Sequence, residues 1–132
     1  MKEIKFRGMD ANGVMRYGRL SQDKPNETAY YEEYSQRICW DNSNIPVKNN
    51  TLGQYIGLID KNDKEIYKDD IIRDRWGLIG KVIYRRCWFV VEIIKNYDKD
   101  PLDKGELLGN YLPNNIEVIG NKFENPELLV VK

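Results

Sequence analysis

The chain has 132 residues, of which 41% are hydrophobic and 32% charged, and it contains no histidine. Its 21 Lys and Arg balance 21 Asp and Glu, so no net charge draws it towards nucleic acid or an anionic membrane, and only a local patch could do so. Without histidine it lacks the usual general base, the commonest metal ligand and the ordinary pH switch.

Taken in chain order, residues 2–7 alternate, with Ile4 and Phe6 on one face of a predicted strand. Asn12-Gly13 favours positive φ and suits a hairpin turn, with residues 14–18 as the return strand. Residues 21–50 are polar and contain Pro25 and Pro46. Within them Tyr30, Tyr34 and Ile38 recur at i, i+4 and i+8. That spacing suits a short helix capped by Asn26 or Thr28 and running to about Gln36, and a strand around Ile38-Cys39-Trp40 is the competing reading.

From Leu52 the pattern becomes that of strands. Residues 52–58 alternate around Gly53 and Gly57, residues 60–63 are turn chemistry, and Glu65-Ile66-Tyr67 returns. Lys68-Asp69-Asp70 is a second turn, and Gly77 and Gly80 mark a further bend. Residues 81–84 and 88–94, rich in Val, Ile, Trp and Phe, read as paired strands joined through Arg85-Arg86-Cys87. Residues 96–105 read as a charged loop, and residues 116–120 as a last strand. Asn125-Pro126 starts one helical turn, with Asn as cap and Pro at the first helical position. No internal repeat stands out.

Cys39 and Cys87 have neither zinc nor CxxC spacing and are expected to be unpaired and largely buried. The start, MKEIKFR, has no apolar signal core, and no apolar run approaches the length of a membrane helix. A cytoplasmic protein is expected.

Several blocks resemble the YopX family of bacteriophage and prophage proteins. They are Ile4-Lys5-Phe6-Arg7, Gln54-Tyr55-Ile56-Gly57-Leu58, residues 60–67, Asp70-Ile71-Ile72, residues 117–121 and residues 124–129. The chain departs from the family's usual pattern in three places. Gly8 and Met9 stand where a small residue and Trp are usual, Asn62-Asp63 where the turn usually ends Asn-Gly, and Asp69-Asp70 where Gly-Asp is usual. Asp tolerates the left-handed conformation, so both turns are expected to keep their shape. The resemblance implies a small, mostly β protein of a phage or prophage, expressed in a bacterial host, and it brings no catalytic residues with it.

Three carboxylates, Asp69, Asp70 and Asp74, cluster in sequence. With Arg73 and Arg75 beside them they read as a solvated turn with local ion pairs, and no metal or other cofactor is expected. No Ser or Cys has a histidine partner and no glycine-rich phosphate loop is present, so no enzyme is expected. The candidate binding surface is basic and aromatic: Arg73, Arg75, Trp76, Tyr84, Arg85, Arg86 and Trp88. Such residues pair with phosphate and stack on bases, or else they are strand-packing aromatics among ordinary surface charges. Tyr30, Tyr31 and Tyr34 form a candidate protein interface, or a helix face packed on the core.

The expected architecture is mainly β. An N-terminal hairpin (1–20) precedes an excursion (21–50), an SH3-like barrel (51–122) and a tail (123–132), all in a single YopX-like domain. The leading functional expectation is a non-enzymatic module that binds another protein, a second copy of the chain included. A nucleic-acid-binding accessory protein comes second.

Overall fold

The computed structural model describes residues 5–21, 34, 36–40, 43–75, 77–85, 88–95, 106–107 and 115–130. The protein is mainly β, as its alternating pattern predicts, and the strands form two antiparallel sheets. The chain divides into two compact units, residues 1–55 and 56–132.

The first unit holds β1 (Phe6–Met9), β2 (Met15–Leu20), β3 (Gln36–Trp40), β4 (Ser43–Val47) and the start of β5 (Gly53–Ile59). These pair in the order β4-β3-β2-β1-β5, and a sixth strand, β6 (Glu65–Tyr67), follows β5 in the same sheet. The helix expected to run to Gln36 gives way there to β3. Ile38 is fully buried in that strand, opposite Ile45. Residues 22–33 lie outside the described part, and with them Tyr30 and Tyr31. Gly8 is required by packing, because a Cβ there would lie 2.7 Å from a Val47 methyl. Thr51 closes the unit. Its hydroxyl accepts the Met9 N–H at 2.9 Å and donates to the Lys48 carbonyl at 2.6 Å, while the Lys48 N–H donates to the Met9 carbonyl.

The second unit continues from β5 through β6 (Glu65–Tyr67) and β7 (Asp70–Asp74), then β8 (Ile79–Arg85) and β9 (Trp88–Lys95). It ends with β10 (Glu106–Leu107) and β11 (Ile116–Asn121). Five of these pair in the order β10-β9-β8-β7-β11. Closure of the expected barrel would need a further ladder between β10 and β11, and the described residues contain none. Alternate residues point inward, as a one-sided sheet requires. Ile66, Ile72, Val82, Val91, Ile116 and Val118 form the core, with Ile56, Leu58 and Phe89 packed against it. Each fully buried Val or Ile here contributes roughly 1.5–3 kcal/mol.

Among the described residues one local device recurs: an aspartate-anchored turn that joins strands three times. In residues 10–14 the Asp10 carboxylate accepts the N–H groups of Asn12 and Val14 through Oδ1, at 2.9 and 3.0 Å. In residues 60–64 Asp60 accepts those of Asn62 and Lys64, at 2.8 and 2.9 Å. In residues 74–78 Asp74 accepts that of Leu78, at 2.9 Å. In each turn the first residue's N–H also donates to the fifth residue's carbonyl, and the fourth residue's N–H to the first's carbonyl. The fourth residue is left-handed in all three: Gly13 (φ 76), Asp63 (φ 63) and Gly77 (φ 90). A short carboxylate bonding the backbone just ahead, followed by a residue tolerant of positive φ, specifies this loop.

The two turns that depart from the family pattern keep their shape, because Asp63 and Asp69 (φ 72) are the left-handed non-glycine residues among those described. The cluster of Asp69, Asp70 and Asp74 is not a solvated turn, since all three are buried. Asp70 accepts the buried Tyr67 N–H at 2.8 Å, and Asp69 accepts the Lys68 ammonium at 3.2 Å.

The expected C-terminal turn forms as a single 3-10 turn, Pro126–Leu129, with Pro at its start. Asn125 does not cap it through its side chain. Its Oδ1 instead accepts the Asn121 N–H at 3.2 Å, and Asn121 accepts the N–H groups of Phe123 and Glu124.

Candidate functional site

The basic and aromatic residues singled out from the sequence are dispersed along the second sheet. Arg73, next to last in β7, lies opposite Ile79, the first residue of β8. Arg85 ends β8, six residues further on, which places it about 20 Å away at 3.3 Å per residue. Arg73 and Arg75 therefore stand at one end of the sheet, and Tyr84 and Arg85 at the other. Trp76 and Arg86 lie outside the described residues, as does the side chain of Trp88, which is paired through its backbone with Arg85.

The described arginines are engaged locally. Arg73 lies 3.4 Å from the Glu117 carboxylate, directly across the ladder. Lys61 reaches the same oxygen at 3.1 Å. Lys61, and after it Arg73, hold the Glu117 carboxyl below its ordinary value by hydrogen bonding and charge. Arg75 donates to Asn115 Oδ1 at 3.5 Å, and Arg85 faces Glu92 at 3.8 Å. The Tyr84 ring meets Phe89, its cross-strand partner, edge to face at 5.1 Å between centroids. These are the cross-strand pairs that stabilise a sheet.

Of the tyrosine cluster only Tyr34 is described, and it is half-buried. Among the described residues no group of three or more Cys, Asp or Glu is placed to hold a metal ion. No helix among them is long and apolar enough to cross a membrane.

Two features escaped the sequence reading. Trp40, at the end of β3, is 65% exposed, the most exposed large apolar side chain described. Cys39 beside it is free and exposed rather than buried, because strand alternation turns it away from Ile38. The period-two pattern of residues 36–40 carried the signal for Cys39 but not for Trp40, which shares the parity of buried Ile38 and is exposed at the strand's end.

No curated protein matches the chain. Among solved structures, the crystal structure of protein EF1440 from Enterococcus faecalis is similar, with a TM-score of 0.57 and 19% identity, over 98% of this chain and 100% of that one. That of protein YopX from Bacillus subtilis is similar with a TM-score of 0.55 and 21% identity, over the same shares. At these identities the likeness is one of fold. The family model described as YopX protein matches residues 5–130. The chain belongs to the YopX family.

Proposed function

We propose that the protein is a non-enzymatic interaction module of phage or prophage origin, acting in the host cytoplasm, whose partner is another protein, a second copy of the chain included. The exposure of Trp40 carries this reading. An indole left in water forgoes the burial a core would give it, and tryptophan is among the residues that dominate protein interfaces. Trp40 ends β3 and pairs with Ser43 at the start of β4, the last strand of its sheet. Pro46 in β4 has no N–H to offer, which disfavours strand addition along that edge and favours docking through side chains. The buried carboxylates Asp60, Asp70 and Asp74 are engaged with backbone amides of their own turns, which supports a binding role over a chemical one.

Light scattering at high micromolar concentration tests the self-association branch. A mass above the 15.6 kDa of one chain, returning to it in Trp40→Ala, is the expected result. Affinity capture from phage-infected cells tests the other branch. The reading is overturned when wild type is a single chain and retains no protein that Trp40→Ala fails to retain.

A further inference from the structure

Two of the aspartate-anchored turns place an asparagine in the same surroundings. Asn12 and Asn62 are the third residues of the turns 10–14 and 60–64, and both are exposed. Each donates its N–H to the carboxylate of the aspartate two residues before it, at 2.9 and 2.8 Å. Neither side-chain amide has a hydrogen-bond partner among the described residues. The next residue is left-handed in both turns, Gly13 at φ 76 and Asp63 at φ 63. Its N–H donates to the first residue's carbonyl at 3.1 Å in each. At that residue one turn carries a side chain and the other does not. The space around Gly13 is open, since a Cβ there would meet nothing within 4 Å. Asn12-Gly13 is the chain's single Asn-Gly pair.

The backbone nitrogen after an asparagine can attack the side-chain Cγ. The new N–Cγ bond closes a cyclic imide and the bond from Cγ to the amide nitrogen breaks. Ammonia leaves, carrying the proton that the backbone nitrogen gives up. Water then opens the imide at either carbonyl, to aspartate or to isoaspartate. One water is taken up and one ammonia released, with no oxidant or reductant. Asparagine is thermolabile for this reason. A side chain on the attacking residue crowds the closure, and glycine both removes the obstacle and turns most freely into the conformation required.

We propose that Asn12 is a site of spontaneous deamidation and that Asp10 sets its rate. The Gly13 N–H must leave the Asp10 carbonyl before its nitrogen can attack, so the turn has to open first. The Asp10 carboxylate opposes that opening. It holds the amides of Asn12 and Val14 at 2.9 and 3.0 Å, and Arg16 holds it at 2.8 Å. Either product adds a carboxylate to the turn and takes the chain's net charge from zero to minus one. Isoaspartate also adds an atom to the main chain between Asp10 and Val14, so one carboxylate oxygen no longer reaches both amides. The loop between β1 and β2 thus carries a slow chemical clock that loosens it. The reaction needs only water, so it is independent of any partner that Trp40 meets.

The test is to age the purified chain in mildly alkaline buffer, with an unaged control, and to digest it. The tryptic peptide 8–16 contains Asn12 and no other asparagine, and the chymotryptic peptide 59–67 contains Asn62 and no other. Mass spectrometry counts the exchange of ammonia for water in each, and isoaspartyl methyltransferase labels the isoaspartate. Asn12 converts before Asn62. Gly13→Asp brings Asn12 down to the rate of Asn62, and Asp63→Gly brings Asn62 up towards that of Asn12. The second change relieves a strained φ, so its faster conversion comes from the missing side chain and not from unfolding. Asp10→Ala speeds Asn12 about tenfold, the effect of losing two turn hydrogen bonds. Aged protein enriched in isoaspartate unfolds at a lower urea midpoint than fresh protein. Circular dichroism confirms folding of each variant, and the Asp63→Gly comparison stands if Gly13→Asp unfolds. Three results overturn the proposal: Asn12 converting no faster than Asn62, a rate at Asn62 unmoved by Asp63→Gly, or a rate at Asn12 unmoved by Asp10→Ala.

Discussion

Asp60 and Val118 are tied together across 58 positions of sequence. The carboxylate that closes the 60–64 turn with Oδ1 accepts the buried Val118 N–H with Oδ2, at 2.8 Å. A turn residue thereby becomes a tertiary anchor, and the two oxygens of one side chain do different work. Asp10 is built alike, but its second oxygen holds only the neighbouring Arg16.

Asp60→Ala should therefore destabilise the second unit by about 3 kcal/mol, since it strands a buried amide as well as two turn amides. Asp60→Asn should recover part of this, because its carbonyl still serves the turn. Urea unfolding with matched m-values would measure it, and an Asp60→Ala loss below about 1 kcal/mol would contradict the anchor.

Asp63 is exposed and left-handed, so Asp63→Gly should raise stability by about 1 kcal/mol, and Asp63→Val should lower it. Asp69→Gly should gain less, because it removes the acceptor of Lys68. The order of the urea midpoints decides the matter. Equal midpoints for Asp63→Gly and Asp63→Val would remove backbone strain as the cause.

Gly8→Ala should cost about 1–3 kcal/mol through its collision with Val47. Val47→Ala in the same chain should relieve the collision, so that the two changes together cost less than their sum. Strict additivity in a double-mutant cycle would mean that Gly8 is needed for another reason.

Asp10 and Glu117 set part of the acid limb of stability. Val14 N–H, then Arg16, lower the Asp10 carboxyl from its ordinary 3.8, and Lys61 lowers Glu117 from 4.5. The folded values lie below the unfolded ones, so the unfolded chain binds more protons between them. The stabilisation is complete above the ordinary values and is lost as pH falls through the lowered ones. Asp10→Asn and Glu117→Gln should each flatten the fall in urea midpoint below about pH 4.5. An acid limb unchanged in both variants would count against these assignments.

The second unit was largely legible in sequence because its strands are rich in Val, Ile and aromatic residues and Asn, Asp and Gly punctuate them. β4 was not, since Pro46 reads as a break, yet Pro46 lies on the terminal strand of its sheet, where a missing N–H is tolerated. The helix expected from Asn26 or Thr28 to about Gln36 falls mostly outside the described residues, and the spacing of four behind it also takes in Ile38, which lies in β3. That spacing places two residues on one face of a helix, but it does the same on a strand, and the competing reading of a strand around Ile38 is the one seen for residues 36–40, where Ile38 is buried opposite Ile45.

The basic aromatic patch dissolved for a related reason. Arg73 and Arg85 are close in sequence, but a whole strand runs between them.

The division of the chain at residue 55 bears on how it is made. The ladders that join β1 to β2, β2 to β3, β3 to β4 and β1 to β5 are all encoded before Ile56, so the first unit can assemble while the ribosome is still at work. The second cannot. Asp60, Ile71 and Ile72 must wait for Ile116, Val118 and Gly120 before their amides and methyls are covered. A nascent chain stalled near residue 110 would thus display an ordered amino-terminal body and an apolar, chaperone-accessible remainder.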